Sequence, residues 1–470
     1  MRAFAVAALS LTLAACGGDD DDSDGTGAAS SGGGTPATLK LDTGYGTGGI
    51  ATSPLNASAH DRFMAVAQGS DGRTYAAGFT VTGDGDQAFA VARIDSSGQL
   101  DTSFGTAGIA SVNIAVGGKT GELARAVAVQ SDGKIVISGP FEKDPSSAGD
   151  AARDIDVAAA RFDTSGKLDA SFGTGGVARM DWGTGRNTTG TTYIADTLWG
   201  MAIGNGGKVV LFGSTPATGD GRVDTDFVFG AFTSAGQVDT SFGQGGKLVI
   251  DIATAVNNPR TVLVQSDGKI VGTGYSNIGG VVQPSLIRLT AAGQLDTTFG
   301  TNGIATHQVL PGVAESYAVQ QQGNNYILAG YRRGADNTEK VDMIVYRFDA
   351  TGKWDQTFGT AGITRVDIAK EDDRSRNVLV LPDGRILGVG SGKKDAVNID
   401  AMVALFDKDG KPVTDFGTNG QLISDLGGPA DAWYGVTLSS DKKAVILAGY
   451  KGTDATSGGN DDAVTAKIVF

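Results

Sequence analysis

Cysteine occurs once in the 470 residues and histidine twice. A lone cysteine excludes an intramolecular disulfide and a cysteine-rich metal site. Two histidines leave little room for histidine-based catalysis. Cations are in deficit: 38 Lys and Arg face 52 Asp and Glu, a formal net charge of −14. Nucleic acid and anionic membranes need cations that replace counterions, so the balance argues against both as surface partners. Proline is scarce at 11 and the 73 glycines follow no G-X-Y period, which removes collagen and proline-rich low complexity. Aromatics are only 7%, yet an apolar share of 40% suffices for a core. No apolar run reaches the roughly 20 residues that cross a bilayer. The length suits roughly two to four ordinary domains or one large repeat array.

The first segment reads as an address. Residues 1–15 have the form of a signal peptide, with Met1-Arg2 ahead of an apolar run, Ala3 to Leu13, that only Ser10 and Thr12 interrupt. It ends in Leu13-Ala14-Ala15-Cys16, which resembles the lipobox of bacterial lipoproteins. The resemblance implies cleavage before Cys16 and acylation of that residue, and two or more acyl chains give stable anchoring. The alternative, a secretory peptide with an incidental cysteine, must explain why the only cysteine falls at the required place. Residues 16–38 continue with Gly17-Gly18, the aspartates Asp19 to Asp22 and a Gly/Ser/Thr-rich stretch. That composition cannot offset ordering entropy, so the segment is expected to be a flexible tether. Its aspartates are read as extending the linker rather than binding calcium. In some lipoproteins acidic residues after the lipid-bearing cysteine assist sorting to the cell exterior. Gly17 in place of Asp leans, by the same resemblance, toward the outer membrane, on its periplasmic or its surface-exposed side.

From residue 39 onward one unit recurs. An aromatic-Gly pair stands at Tyr45-Gly46, Phe104-Gly105, Phe172-Gly173, Phe242-Gly243, Phe299-Gly300, Phe358-Gly359 and Phe416-Gly417, at spacings of 57 to 70 residues. Three residues earlier lies Asp42, Asp101, Asp169, Asp239, Asp296 or Asp355, with Val413 in the last copy. Each unit also holds a Gly-centred turn between apolar runs, as in Ser131-Asp132-Gly133 between Ala126-Val127-Ala128-Val129 and Lys134-Ile135-Val136-Ile137. Asp-Gly between β-rich runs signals a hairpin. A second glycine follows at Gly78, Gly139, Gly213, Gly274 and Gly390. A third run such as Asp156 to Phe162 and a fourth such as Ile109 to Val112 complete four strands per unit, with no helical period anywhere.

This pattern predicts an all-β fold: a seven-bladed β-propeller of four-stranded antiparallel blades over residues 39–470. A parallel β-helix advances about 20 residues per coil and needs no hairpin per unit. The units resemble the delta-60 repeat, a bacterial β-propeller family marked by L-D-x-S-F-G and x-D-G-K-I. The best copies are Leu100-Asp101-Thr102-Ser103-Phe104-Gly105 and Gln130-Ser131-Asp132-Gly133-Lys134-Ile135. The chain starts with an outer-type strand, Gly49-Ile50-Ala51-Thr52, and ends with a third-type strand, Ala463 to Phe470. The N-terminal strand should therefore complete the last blade and remove two exposed edges.

Two connections per unit are uniform and two vary, the latter including Pro140 to Ile155, Gly183 to Ala195 and Thr215 to Thr225. Variable loops on a rigid scaffold carry specificity, so binding is expected on that face. Arg125, Arg260 and Arg376 stand eight residues before their turn glycine, and Trp199 and Met64 share the register. Such a group at a channel mouth can hold a carboxylate, a sugar ring or an anionic peptide. The plainer expectation pairs these arginines with Glu122, Asp372 or Asp373. Asp156, Asp226, Asp342, Asp400 and Asp462 recur before the third strand, with Ala88 and Gln283 in the other two units. These are expected to be structural, accepting backbone N–H bonds between blades.

Catalytic constellations fare poorly. His60 and His307 lie in different units, and no P-loop, dinucleotide fingerprint or HExxH motif is present. Ala350-Thr351-Gly352-Lys353-Trp354 is faintly similar to a quinoprotein docking motif but is this unit's version of a recurring link. Asp84, Asp86, Asp461 and Asp462 could serve calcium, without full EF-hand spacing. The expectation is a non-catalytic, monomeric binding or scaffold module for a glycan, peptide or protein, with no cofactor and no catalytic residue. The alternative is an envelope hydrolase or polysaccharide lyase using acidic residues of the channel mouth, since propellers host such enzymes with carboxylate pairs no pattern reveals.

Overall fold

Each repeat folds into short strands because its β-branched and aromatic residues alternate between glycine turns. In the first unit Arg62–Gln68, Thr74–Val81, Gln87–Ile94 and Ile109–Val112 pair in that order, antiparallel throughout. The computed structural model describes residues 38–470 except 56–60, 83–84, 116–120, 143–154, 184–195, 220–221, 223, 310–311, 335–339, 369, 394–397 and 453–460. The expected signal peptide, Cys16 and the linker to residue 37 lie outside the described residues, as do His60 and Asp84. Among the described residues there is no α-helix, only a 3-10 turn at Asn205–Gly207.

Five sheets have four strands and one has nine. The larger sheet is two sets joined by a single parallel bridge, Ile399 to Ala430. One set runs Asp373–Val380, Ile386–Lys393, Ile399–Phe406 and Gln421–Ser424; the other runs Ala430–Leu438, Ala444–Gly452 and Asp462–Val469. On the last of these the N-terminal strand Ile50–Thr52 pairs antiparallel, residue by residue with Ala466, Thr465 and Val464. Lys40–Leu41 pairs with Val469 and Ile468 beside it.

The first strands follow one another in a cycle. Arg62–Gln68 touches Ala126–Val129, and contact passes on through Thr197–Ile203, Asn257–Val264, Gly312–Gln322, Asp373–Val380 and Ala430–Leu438. That last strand touches Arg62–Gln68 again. The apolar core lies between neighbouring sheets: Tyr75, Phe89 and Val91 of one unit pack with Ile135, Ile137 and Phe162 of the next.

The aromatic-Gly signature is the clasp between sheets. Phe104, Phe172, Phe242, Phe299 and Phe358 are fully buried at 0% exposure. The following glycine has a φ of 54° at Gly105 and 57° at Gly243, the left-handed region side chains resist. A Cβ on Gly105 would collide with the Ile109 carbonyl. Gly105 N–H also donates to Ser165 O of the next unit at 2.8 Å.

An arginine near the end of the third strand completes the clasp. Arg93 Nε donates to Asp101 Oδ2 at 2.9 Å, Nη2 to Ser103 Oγ at 2.6 Å and Nη1 to Thr164 O of the next unit at 2.7 Å. Its guanidinium lies 4.8 Å from the Phe104 ring centroid. Arg161, Arg288 and Arg347 repeat the arrangement against Asp169, Asp296 and Asp355. Where a unit lacks this arginine a lysine substitutes, Lys208 to Asp239 at 2.6 Å and Lys467 to Asp42 at 2.9 Å. In the sixth unit Leu405 holds the arginine's place and Val413 the aspartate's, bonded backbone to backbone at 3.0 Å. Both partners are apolar together, which explains the one copy without its aspartate.

Candidate ligand-binding channel

A β-bulge in the first strand of a unit aims one side chain inward. The pairing register of first and second strands slips at Met64, Trp199, Tyr317, Arg376 and Tyr434, and at Arg260 with Thr261. Bulges of this kind bend a strand and redirect a side chain. The recurring second glycine makes them sterically feasible. A Cβ at Gly78, Gly213 or Gly390 would run into the carbonyl of Arg62, Thr197 or Arg374, two residues ahead of the redirected one.

With Arg125, those residues line a cavity of about 250 Å³. In chain order the ring reads Met64, Arg125, Trp199, Arg260, Tyr317, Arg376, Tyr434, so cations and aromatics alternate around most of it. The Arg125 guanidinium carbon lies 3.8 Å from the Trp199 ring centroid, and that of Arg260 lies 4.4 Å from it. Arg260 is also 4.3 Å from Tyr317, and Arg376 is 5.2 Å from both Tyr317 and Tyr434. No carboxylate lines the cavity among the described residues. A second recess of about 340 Å³ is lined by Arg62, Phe79, Gln87 and Leu123 together with Met64, Arg125, Trp199, Arg376 and Tyr434 of the ring.

The three arginines differ in what they hold. Arg260, 7% exposed, donates to Pro259 O at 2.8 Å, Tyr275 OH at 3.0 Å and Tyr317 OH at 3.2 Å, with Glu315 Oε2 at 3.9 Å. Arg125 and Arg376 make no side-chain hydrogen bond or ion pair among the described residues; their contacts are aromatic faces. The Arg376 Nε is buried without a partner. Burial, and then the like charge of Arg260, brings the Arg125 guanidinium down to about 10, which leaves it charged at neutral pH.

The carboxylates expected to pair with these arginines are committed elsewhere. Glu122 accepts the N–H groups of Ile114 at 2.9 Å and Ala115 at 2.5 Å, and Asp373 those of Ile368 at 2.5 Å and Lys393 at 3.3 Å. Asp372 lies 3.8 Å from Arg374. Asp61, Glu122, Asp196, Asp373 and Asp431 all stand three residues before the ring residue and accept backbone N–H bonds from the preceding unit. Burial pushes Glu122 and Asp373 up to about 7 and Asp431 to about 6. This seam role was expected of the aspartates before the third strand, two of which take arginines instead. Asp226 meets Arg222 at 2.9 Å and Asp342 meets Arg365 at 2.7 Å. Asp156 and Asp400 lie in clusters of three aspartates, and Asp462 is half-buried at a strand start.

Tyr317 and Tyr434 are ring members the turn-glycine spacing does not find. Their units turn at Gly323-Asn324-Asn325 and Asp441-Lys442-Lys443, so the glycine that anchors the count is displaced or absent. The second-strand glycines Gly330 and Gly449, opposite the bulges, would have found both. His307 is remote from the cavity, stacked on Trp354 at 4.4 Å. Asp86 accepts from Asn113 at 2.7 Å, and Asp461 pairs with Arg62.

Comparison with known proteins bears on the architecture. Residues 69–104, 130–172 and 265–299 match a family model described as a domain of unknown function (DUF5122) beta-propeller. With the four-stranded antiparallel sheets, this supports a β-propeller repeat architecture. No curated protein matches it. Among solved structures, a protein of unknown function from Dyadobacter fermentans is similar at 12% identity over 92% of this chain and 99% of its own, with a TM-score of 0.42. Sqt1 from Chaetomium thermophilum is similar at 13% over 90% and 100%, TM-score 0.39. The α-L-arabinofuranosidase Arb93A from Fusarium graminearum is similar at 11% over 73% and 91%, TM-score 0.41. None of these structural likenesses is close enough to carry an activity.

Proposed function

We propose that the chain is a seven-bladed β-propeller, held at the bacterial cell envelope by lipid on Cys16, that binds an anionic ligand in its channel mouth without catalysis. The cycle of seven first strands supports the blade count, with Ile50–Thr52 as the fourth strand of the last blade. The lipobox-like Leu13-Ala14-Ala15-Cys16 and the tether after it support the anchor, with the outer membrane favoured by Gly17. The observation that carries the ligand reading is the pair Arg125 and Arg376, two guanidiniums without a carboxylate partner among the described residues, in a chain of net charge −14.

The geometry narrows the ligand. Arg125 and Arg260 both lie against the Trp199 indole, at 3.8 and 4.4 Å from its centroid, so the ring is already engaged by two cations and is a poor platform for a sugar ring. Guanidinium edges instead select planar oxyanions, carboxylate above all. An acidic glycan or an acidic peptide fits; a neutral glycan does not. A cavity lined by no carboxylate among the described residues favours binding over carboxylate-driven hydrolysis, which needs two such groups flanking the scissile bond.

Calorimetric titration with a uronic-acid oligosaccharide, a glutamate-rich peptide and a neutral oligosaccharide tests this. The anionic probes should bind with an affinity that falls as salt rises. Replacing Arg125 and Arg376 together by Met should weaken them at least about tenfold. Equal binding of the neutral probe, or an unaffected double variant, would overturn the reading. For the anchor, Cys16→Ser should move the protein from the membrane to the soluble fraction.

A further inference from the structure

The ring of the channel stands between two recesses with unlike walls. Met64, Arg125, Trp199, Arg376 and Tyr434 line both. Arg62 and Leu123, which line the recess of about 340 Å³ and not the other, come two residues before a ring member along the chain. Val66 and Val127, which line only the cavity of about 250 Å³, come two residues after one.

Beyond the ring the walls are apolar. Val66, Val127, Val262, Leu263, Val319 and Val436 line the cavity there. Two of its polar side chains are engaged with backbone. Thr261 Oγ1 accepts the Val319 N–H at 3.1 Å, and Asn377 accepts the Val378 N–H at 2.9 Å while donating to Tyr434 O at 3.1 Å. An apolar cavity of about 150 Å³ stays dry and takes benzene, so the larger space here has room for a bigger apolar group.

The ring has one soft place. Guanidiniums and aromatic rings stack without a break in the order Arg125, Trp199, Arg260, Tyr317, Arg376, Tyr434, at 3.8 to 5.2 Å from carbon to centroid. Met64 alone of the seven stands outside that stack, between Tyr434 and Arg125 in the ring order. Its unbranched thioether chain adapts where stacked rings hold their place.

We propose, resting on the anionic-ligand reading above, that the ligand is a monocarboxylic acid with a flexible apolar chain. Its carboxylate lies on Arg125 and Arg376, and its chain passes Met64 into the apolar cavity. A uronate or a glutamate side chain satisfies the guanidiniums but leaves that cavity unused, and a sugar hydroxyl inside it would lose water without gaining a partner. Each methylene buried there strengthens binding about fourfold.

The test titrates the full chain with propionate, hexanoate and octanoate, with octanamide, and with a uronic-acid oligosaccharide. Affinity should rise about fourfold per added methylene until the cavity is full, and the heat-capacity change should grow more negative along the series. Octanamide should bind at least about tenfold more weakly than octanoate. Met64→Trp should narrow the passage and weaken octanoate at least about tenfold, more than it weakens propionate. Val127→Thr with Val436→Thr, close in shape to the wild type, should flatten the chain-length series, and serves if Met64→Trp does not fold. An affinity independent of chain length overturns the proposal, as does a uronate that binds more tightly than octanoate. A series unchanged in both variants also overturns it, because the acid then sits elsewhere. If the uronate binds through Arg125 and Arg376 while octanoate does not, this proposal falls and the anionic-ligand reading stands. If no anionic probe binds, both fall.

Discussion

Arginine is used in two opposite ways in this molecule. At the clasps, Arg93, Arg161 and Arg288 each spend three nitrogens on a carboxylate, a hydroxyl and a neighbouring unit's carbonyl, and Arg347 spends two on Asp355, Gln322 and the Lys408 carbonyl, each over a buried phenylalanine. In the channel, Arg125 and Arg376 have aromatic neighbours and no acceptor among the described residues. The clasp arginines are buried and the channel pair half-buried, and a desolvated charge without a counterpart is costly. The clasp arginines therefore belong to folding, whereas the channel arginines are expected to lower stability, a cost that the ligand of the proposed function would offset.

The largest effect expected from breaking this contrast is at the clasp. Arg161→Ala leaves the Ser234 carbonyl without this donor and Asp169 with only Lys134 and Ser171, and should cost about 3 kcal/mol in denaturant unfolding. Arg161→Leu with Asp169→Val, which copies Leu405 and Val413, should cost less than the two single changes summed, by about 1 kcal/mol or more. Additive costs would deny that the pair is one unit.

Acidity probes the same clasps. Asp101 is held at about 2, by the Ser103 hydroxyl first and Arg93 with it. Its folded form binds fewer protons than the unfolded chain, so its contribution is present above the ordinary carboxylate value and is lost as pH falls through about 2. Glu122 works in reverse. Burial raises it to about 7, so its share of stability is present at low pH and lost as pH rises through neutrality. Melting temperature should therefore fall on both sides of a maximum in mildly acidic solution. Arg93→Gln should flatten the acid limb alone.

Gly243→Ala should cost about 1 kcal/mol or more, since φ there is 57° and the new Cβ faces the Lys247 carbonyl. An unchanged melting temperature would remove the steric reason for the signature. The smallest stability effect is expected at Arg376→Met, near zero or slightly favourable, with ligand affinity lost. A loss comparable to that of Arg161→Ala would make the channel arginines structural after all.

Much of this was legible in the sequence because repetition exposes it. The hairpin turns, the aromatic-Gly clasp and four strands per unit follow from residues that must recur for each sheet to meet the next. Arg125, Trp199, Arg260 and Arg376 were found by counting from a turn glycine. Tyr317 and Tyr434 were not, because their turns had lost that marker while the bulge beneath persisted. The acids three residues ahead of the ring were visible but assigned to the wrong partner. Proximity in sequence to an arginine suggested an ion pair, whereas the strand directs those carboxylates sideways into the seam and the bulge directs the arginine inward. Side-chain direction at a bulge is a property of register between strands, which a single strand's composition does not contain.

The pairing of Ile50–Thr52 with Val464 to Ala466 has a temporal consequence. More than four hundred residues separate those partners, so this contact cannot form until nearly all of the chain has been synthesised. Long-range pairing of this kind is the slow step in β topologies. Until then the opening strand waits with an unmatched edge, and a chain cut short of residue 464 leaves it without its template.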